Sequence, residues 1–185
     1  MKKINTHYLY YFICLFFFSS CSDKQDFDQA KDLEIITDVS GPIVYIESTE
    51  ALINSIPAPS FLTQNINFDG FETNLFSDKV ISGSITFQIE NTTSKQVDLT
   101  VDLLDDAGNI LDTEFFSINA SPPAVLINRE IFYGSPSGRS IDIVKNTSSI
   151  LLSFVNNSGN TSVSNLPEPK VIFRSIGSFK LRVIE

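Results

Sequence analysis

The sequence predicts an all-β fold: an antiparallel β-sandwich, Ig-like in layout, with one or two short helices. Three observations lead there. Runs of apolar–polar alternation recur along the chain, most regularly from Ile81 to Glu90 and from Val97 to Leu103, and alternation at period two marks a strand with one buried face. Turn-forming stretches such as Asn91-Thr92-Thr93-Ser94-Lys95, Asp105-Asp106-Ala107-Gly108-Asn109 and Gly134-Ser135-Pro136-Ser137-Gly138 punctuate these runs at short intervals. A sheet with one apolar face needs a second sheet to cover it, so about seven such strands imply a sandwich, with a closed barrel as the alternative. The chain has no tryptophan, so the Cys-Trp-Cys hallmark of true immunoglobulin domains is missing and Ig-like describes the layout alone.

In chain order, Ile35 to Val39 and Ile43 to Glu47 read as strands flanking a turn or kink at Ser40-Gly41-Pro42. Thr49 to Ile56 reads as one short helical piece, capped by Thr49 or Ser48 and ended by Pro57 and Pro59. From Ser60 to Ser77 the apolar residues keep no clean period, which predicts irregular chain with some strand. Ile81, Ile85, Phe87 and Ile89 then share one face, and Val97, Leu99, Val101 and Leu103 share another across five turn residues, a pattern that predicts an antiparallel hairpin. Ile110 to Ile118 follows as a strand closed by Pro122-Pro123, and Val125, Ile127, Ile131 and Tyr133 continue the alternation. A turn of helix is expected at Ile141 to Asn146, a nearly continuous apolar strand at Ile150 to Val155, and a last strand from Lys170 to Glu185 that Gly177 bends.

The first residues carry a different signal. Lys2 and Lys3 precede an apolar run from Tyr8 to Phe18, which ends in Ser19 and Ser20; that is the layout of a secretory signal. The run is well short of the roughly 20 residues a membrane-crossing helix needs. Phe18-Ser19-Ser20-Cys21 resembles the lipobox of bacterial lipoproteins, with Phe18 where leucine is usual. The resemblance implies that Met1 to Ser20 is removed and that Cys21 becomes the lipidated first residue, joined to diacylglycerol and usually to a further acyl group such as palmitate. More than one buried acyl chain, at about 0.8 kcal/mol per methylene, anchors a protein stably. The Phe-rich signal, the acidic tether and the alternating strands together resemble uncharacterised outer-membrane lipoproteins of Bacteroidota. That resemblance implies an outer-membrane location, with Ser22 following the cysteine, on either the periplasmic or the surface face. Residues 21–34 are polar and acidic and read as a flexible tether. At roughly 3.3 Å per extended residue it would hold the domain at 35–185 up to about 40 Å from the lipid. A short helix over Asp26 to Leu33 is compatible with the tether's pattern.

Composition narrows the function. The single histidine, His7, and one of the two cysteines, Cys14, fall inside the signal, as does the lone methionine. After processing, no histidine and no unmodified thiol remain, which excludes Ser-His-Asp and Cys-His catalysis, imidazole or thiolate zinc sites and haem ligated by His, Met or Cys. No cofactor and no enzymatic activity are expected. The net charge of −9 argues against nucleic acid and anionic lipid headgroups as partners. Two candidate sites stand out beside their structural readings. Asp98, Asp102, Asp105, Asp106 and Asp112 cluster along one hairpin, as hard-cation ligands would, yet solvated strand faces and turn chemistry explain them too. Tyr45, Tyr133 and the Phe61 to Phe76 aromatics would suit a sugar platform, and equally a core. The expectation is a noncatalytic, lipid-anchored interaction or structural module of the cell envelope with a protein partner. The alternative is a surface binder of carbohydrate or another ligand.

Overall fold

In the computed structural model the described residues are 34–183, apart from 57–60, 69, 72 and 137. Cys21, the signal, the tether with its expected helix, and Pro57 and Pro59 therefore lie outside the described residues. The strands are β1 (Ile35–Thr49), β2 (Phe61–Asn67), β3 (Val80–Asn91), β4 (Val97–Leu104), β5 (Ile110–Ile118), β6 (Val125–Gly134), β7 (Ser149–Asn156) and β8 (Lys170–Val183). Three short helical pieces interrupt them: α1 (Glu50–Ser55), α2 (Asn74–Ser77) and α3 (Ile141–Lys145). No helix among the described residues is long and apolar enough to cross a membrane.

The strands form two antiparallel four-stranded sheets, ordered β1-β8-β3-β6 and β2-β7-β4-β5. Each sheet turns its apolar residues inward. Phe87 of β3 is buried with its ring centroid 6.1 Å from that of Phe173 on β8 and 5.8 Å from that of Phe116 in the other sheet. Ile85, Ile89, Val97, Leu99 and Val101 fill the layer around them. This is the antiparallel sandwich the alternation predicts. Within that class the strand order is that of a jelly roll, eight strands in two facing Greek keys, rather than the Ig-like layout. The alternation reports which face of a strand is buried and is silent on which strand lies beside it.

The same reasoning corrects the hairpin expected between β3 and β4. β3 pairs with β6 and β8, whereas β4 pairs with β5 and β7, so residues 91–96 carry the chain from one sheet to the other. Asn91 builds that corner and is wholly buried. Its Nδ2 donates to the carbonyls of Lys95 (2.7 Å) and Asn119 (2.8 Å), while its Oδ1 accepts from the Thr93 amide (2.9 Å) and hydroxyl (2.7 Å). An asparagine side chain thus supplies the hydrogen bonds a regular two-strand turn would have made. The neighbouring Glu50 and Lys95 are also buried. Glu50 accepts from the Ser94 amide (2.7 Å) and hydroxyl (2.5 Å) and from the Ser164 amide (2.8 Å). Lys95 donates to the Ser162 carbonyl (2.8 Å) and hydroxyl (2.6 Å). Burial alone would raise the Glu50 carboxyl, but these hydrogen bonds and the Lys95 charge bring it below its ordinary value.

β1 is one continuous strand where the sequence suggested two, because Ser40-Gly41-Pro42 is absorbed as a register shift between Pro42 and Val44 against β8. α1 is capped as expected, the Thr49 hydroxyl accepting from the Leu52 amide. The stretch from Ser60 to Ser77 is more regular than expected, holding β2 and α2.

Candidate functional site

The outward face of the β1-β8-β3-β6 sheet carries a groove of about 470 Å³ that crosses all four strands. At an interstrand spacing of roughly 4.8 Å, three steps give it a run of about 14 Å. Strand register places Ser40, Ser178, Ser84 and Phe132 in one row across it, and Asp38, Lys180, Ser82 and Gly134 in the next. Small side chains therefore form the floor. Ser40 Oγ lies 2.9 Å from Ser178 Oγ and donates to the Gly177 carbonyl at 3.1 Å, and Ser84 donates to Glu130 at 2.6 Å. Phe132, 53% exposed, stands as an apolar wall over these hydroxyls.

On the inner face, beneath the floor, β3 and β8 approach closely. A Cβ on Gly83 would lie 2.3 Å from the Phe179 ring and 2.5 Å from the Ser178 carbonyl oxygen. Gly134, with φ of +86°, starts the turn that closes one end of the groove, and a Cβ there would lie 2.6 Å from the Ile81 carbonyl oxygen. The turn folds back on β6: the Gly134 amide donates to the Arg139 carbonyl (2.7 Å), and the Arg139 amide to the Phe132 carbonyl (2.8 Å).

Arg139 anchors this turn to the other sheet. Its guanidinium reaches Asp112 and Glu114 of β5, at 2.5 Å each. Arg129 of β6 binds the second oxygen of Glu114 at 2.9 Å and lies 4.3 Å from the centre of the Phe116 ring. Tyr133, buried behind the groove, donates to Asp112 at 2.9 Å. Burial, reinforced by the Asp112 charge, raises the Tyr133 hydroxyl. The hydrogen bond to Asp112 and the paired carboxylate Glu114 raise Arg139, so it stays charged. The cluster closes the β5/β6 side of the sandwich and fixes the groove's end wall.

The five aspartates proposed as a cation site are not brought together. Asp98 accepts from Asn157 (2.7 Å), Asp102 is buried and accepts from Thr113 (2.6 Å), and Asp112 belongs to the arginine cluster. Asp105 is held below its usual value by Asn109, whose side chain and amide both donate to it, and Asp106 is exposed in the same turn. Among the described residues no group of three or more His, Cys, Asp or Glu is placed to hold a metal. Of the proposed sugar platform, Phe68, Phe71 and Phe76 pack with Phe179 in the core, at centroid separations of 4.5 to 5.3 Å. Tyr133 is buried, and Tyr45 is exposed but donates to Glu47 at 3.0 Å.

Sequence reasoning missed Phe132, the serine floor and the arginine cluster. A signal for the cluster was present: Arg129 occupies the same parity as Ile127 and Ile131, and Asp112 and Glu114 the same parity as Phe116 and Ile118. Charges of opposite sign on apolar-facing positions of two strands point to each other.

No family matches this sequence, and no curated protein matches it. Among solved structures, one of infectious bursal disease virus, Gt strain, is 14% identical with a TM-score of 0.37, over 83% of this chain and 33% of that one. This chain thus spans about a third of that viral chain. A chain from the disulfide-linked pili of Bacillus endospore appendages is 8% identical with a TM-score of 0.34, over 82% of this chain and 93% of that one. Desmodium yellow mottle tymovirus gives 6% and 0.34, over 83% and 90%. The fold assignment rests on the strand order described above, not on these likenesses.

Proposed function

We propose that this chain is a noncatalytic recognition module of the cell envelope, anchored through lipid on Cys21 at the outer membrane, which engages a protein partner through the groove across the β1-β8-β3-β6 sheet. The observation that carries the reading is the half-exposed Phe132 beside a floor of serine side chains. Exposed aromatic anchors surrounded by polar groups are what protein interfaces are built around. Asp38 and Lys180 contribute one charge of each sign. The buried ionisable groups described above are engaged with internal partners, which favours a structural over a catalytic role for them.

One observation favours carbohydrate as a second reading: Ser40, Ser178 and Ser84 present hydroxyl groups along one row directly beside the Phe132 ring. Protease shaving of intact cells separates the two. A fully protected domain removes the surface-glycan reading and leaves an envelope partner; rapid loss of the domain puts the glycan reading first.

A further inference from the structure

The sandwich is closed by charge along its β5/β6 side and open along the other. Among the described residues no hydrogen bond or ion pair joins β1 to β2, and a cleft of about 240 Å³ enters the interior between the sheets there. Leu99 and Leu152 form one wall, Val171 and Phe173 the other, and Leu52 and Leu62 stand at the mouth. Leu62 pairs with the core residue Phe154 and so points inward, yet it is 37% exposed, and Leu52 is 50% exposed. An inward-facing leucine that stays this accessible marks the mouth of the cleft, while Leu99, Leu152, Val171 and Phe173 behind it are buried.

We propose that this cleft binds the aliphatic chain of a neutral single-chain amphiphile. Its walls are hydrocarbon and offer water few partners, the condition under which a space stays dry or takes an apolar guest. At about 240 Å³ the cleft has room for several waters, and so for the end of an unbranched alkyl chain. The rim decides the head group. Ser48, Thr63 and Gln64 offer uncharged hydrogen-bonding groups, and the one carboxylate, Glu47, already accepts from Lys170 (3.1 Å) and Tyr45 (3.0 Å). An anionic head would face that carboxylate, and a cationic one would compete with Lys170 for it. The site is separate from the groove and stands whether or not the groove binds a partner.

The test is a methyl NMR titration of the chain from Ser22 onward with octan-1-ol, octanoate and octylammonium. Octan-1-ol is expected to shift the methyls of Leu62, Leu99, Leu152 and Val171 saturably while leaving Leu126, on the other sheet edge, unmoved. The two charged ligands are expected to bind at least tenfold more weakly. Leu62→Gln, at the partly exposed mouth, is expected to weaken octan-1-ol at least fivefold without lowering the melting temperature by more than a few degrees. Absence of saturation, equal shifts at all methyls, or equal affinity for charged and neutral heads would overturn the proposal. The wild-type titration decides this even if the variant does not fold.

Discussion

Arg139 and Glu114 meet at 2.5 Å across the gap between the two sheets, joining the turn that ends the groove to the inner face of β5. Removing the arginine leaves Glu114, which has little solvent access, with Arg129 alone and Asp112 with Tyr133 alone. For fully buried pairs that costs several kcal/mol, but the Arg139 side chain is 39% exposed and screening reduces the cost. Arg139→Met is expected to destabilise the domain by about 2 kcal/mol, lowering the melting temperature by roughly 5 °C. Thermal unfolding followed by circular dichroism reads this directly, and an unchanged transition would show the pair to be incidental.

Glu50 gives a pH signature at the acid end. Its folded value is lowered, so the stability it contributes is fully present above the unfolded value near ~4.3 and is lost as pH falls through the folded value. Urea midpoints should therefore drop more steeply below about pH 5 in the wild type than in Glu50→Gln. Parallel pH profiles would contradict the role assigned to this carboxylate.

Tyr133 acts at the alkaline end with the opposite sign. Its folded value is raised by burial and by Asp112, so its contribution is complete below the unfolded value near ~10 and is lost as pH rises beyond it. Tyr133→Phe should flatten the alkaline loss of stability and cost about 1 kcal/mol at neutral pH for the missing hydrogen bond. Denaturant melts at neutral and alkaline pH compare the two proteins.

The glycines of the sheet divide sharply. Gly83→Ala places a methyl against the Phe179 ring and Ser178 backbone, and overpacking of this kind costs about 1–3 kcal/mol. Gly41→Ala meets nothing within 4 Å and should leave the melting temperature unchanged within about 1 °C, since open surface changes stay within ~0.5 kcal/mol. Equal effects from the two substitutions would refute the close approach of β3 and β8.

Cys21→Ser is expected to abolish incorporation of labelled fatty acid and to move the protein from the membrane to the soluble fraction. A variant that stays membrane-bound, beside a wild type that takes up no label, would refute the anchor.

How far the sequence discloses this fold depends on what each pattern encodes. Ile85, Phe87 and Ile89 announce both their strand and its buried face, because alternation maps directly onto the pleat. They do not disclose a neighbour, so β4 looked like β3's hairpin partner although Asn91 turns the chain into the other sheet. Gly41 and Pro42 look like a turn in any local reading, and only pairing with β8 shows them to be a bulge within one strand. Lys95 reads as a turn lysine bound for solvent, yet Ser162, far along the chain, holds it buried. The groove was least legible, since Ser40, Ser84 and Ser178 become a floor only when three distant strands come into register.

The recognition groove is the central claim, and crosslinking in intact cells addresses it most directly. A photoreactive residue at Phe132 is compared with one at Ser117, which is exposed on β5 of the other sheet. A discrete covalent adduct of a single partner at position 132, absent at 117 and lost when Gly83→Ala or Arg139→Met distorts the groove, is the predicted result. Adducts of equal yield at both positions, or none at 132 in cells where the domain is folded and anchored, would contradict it.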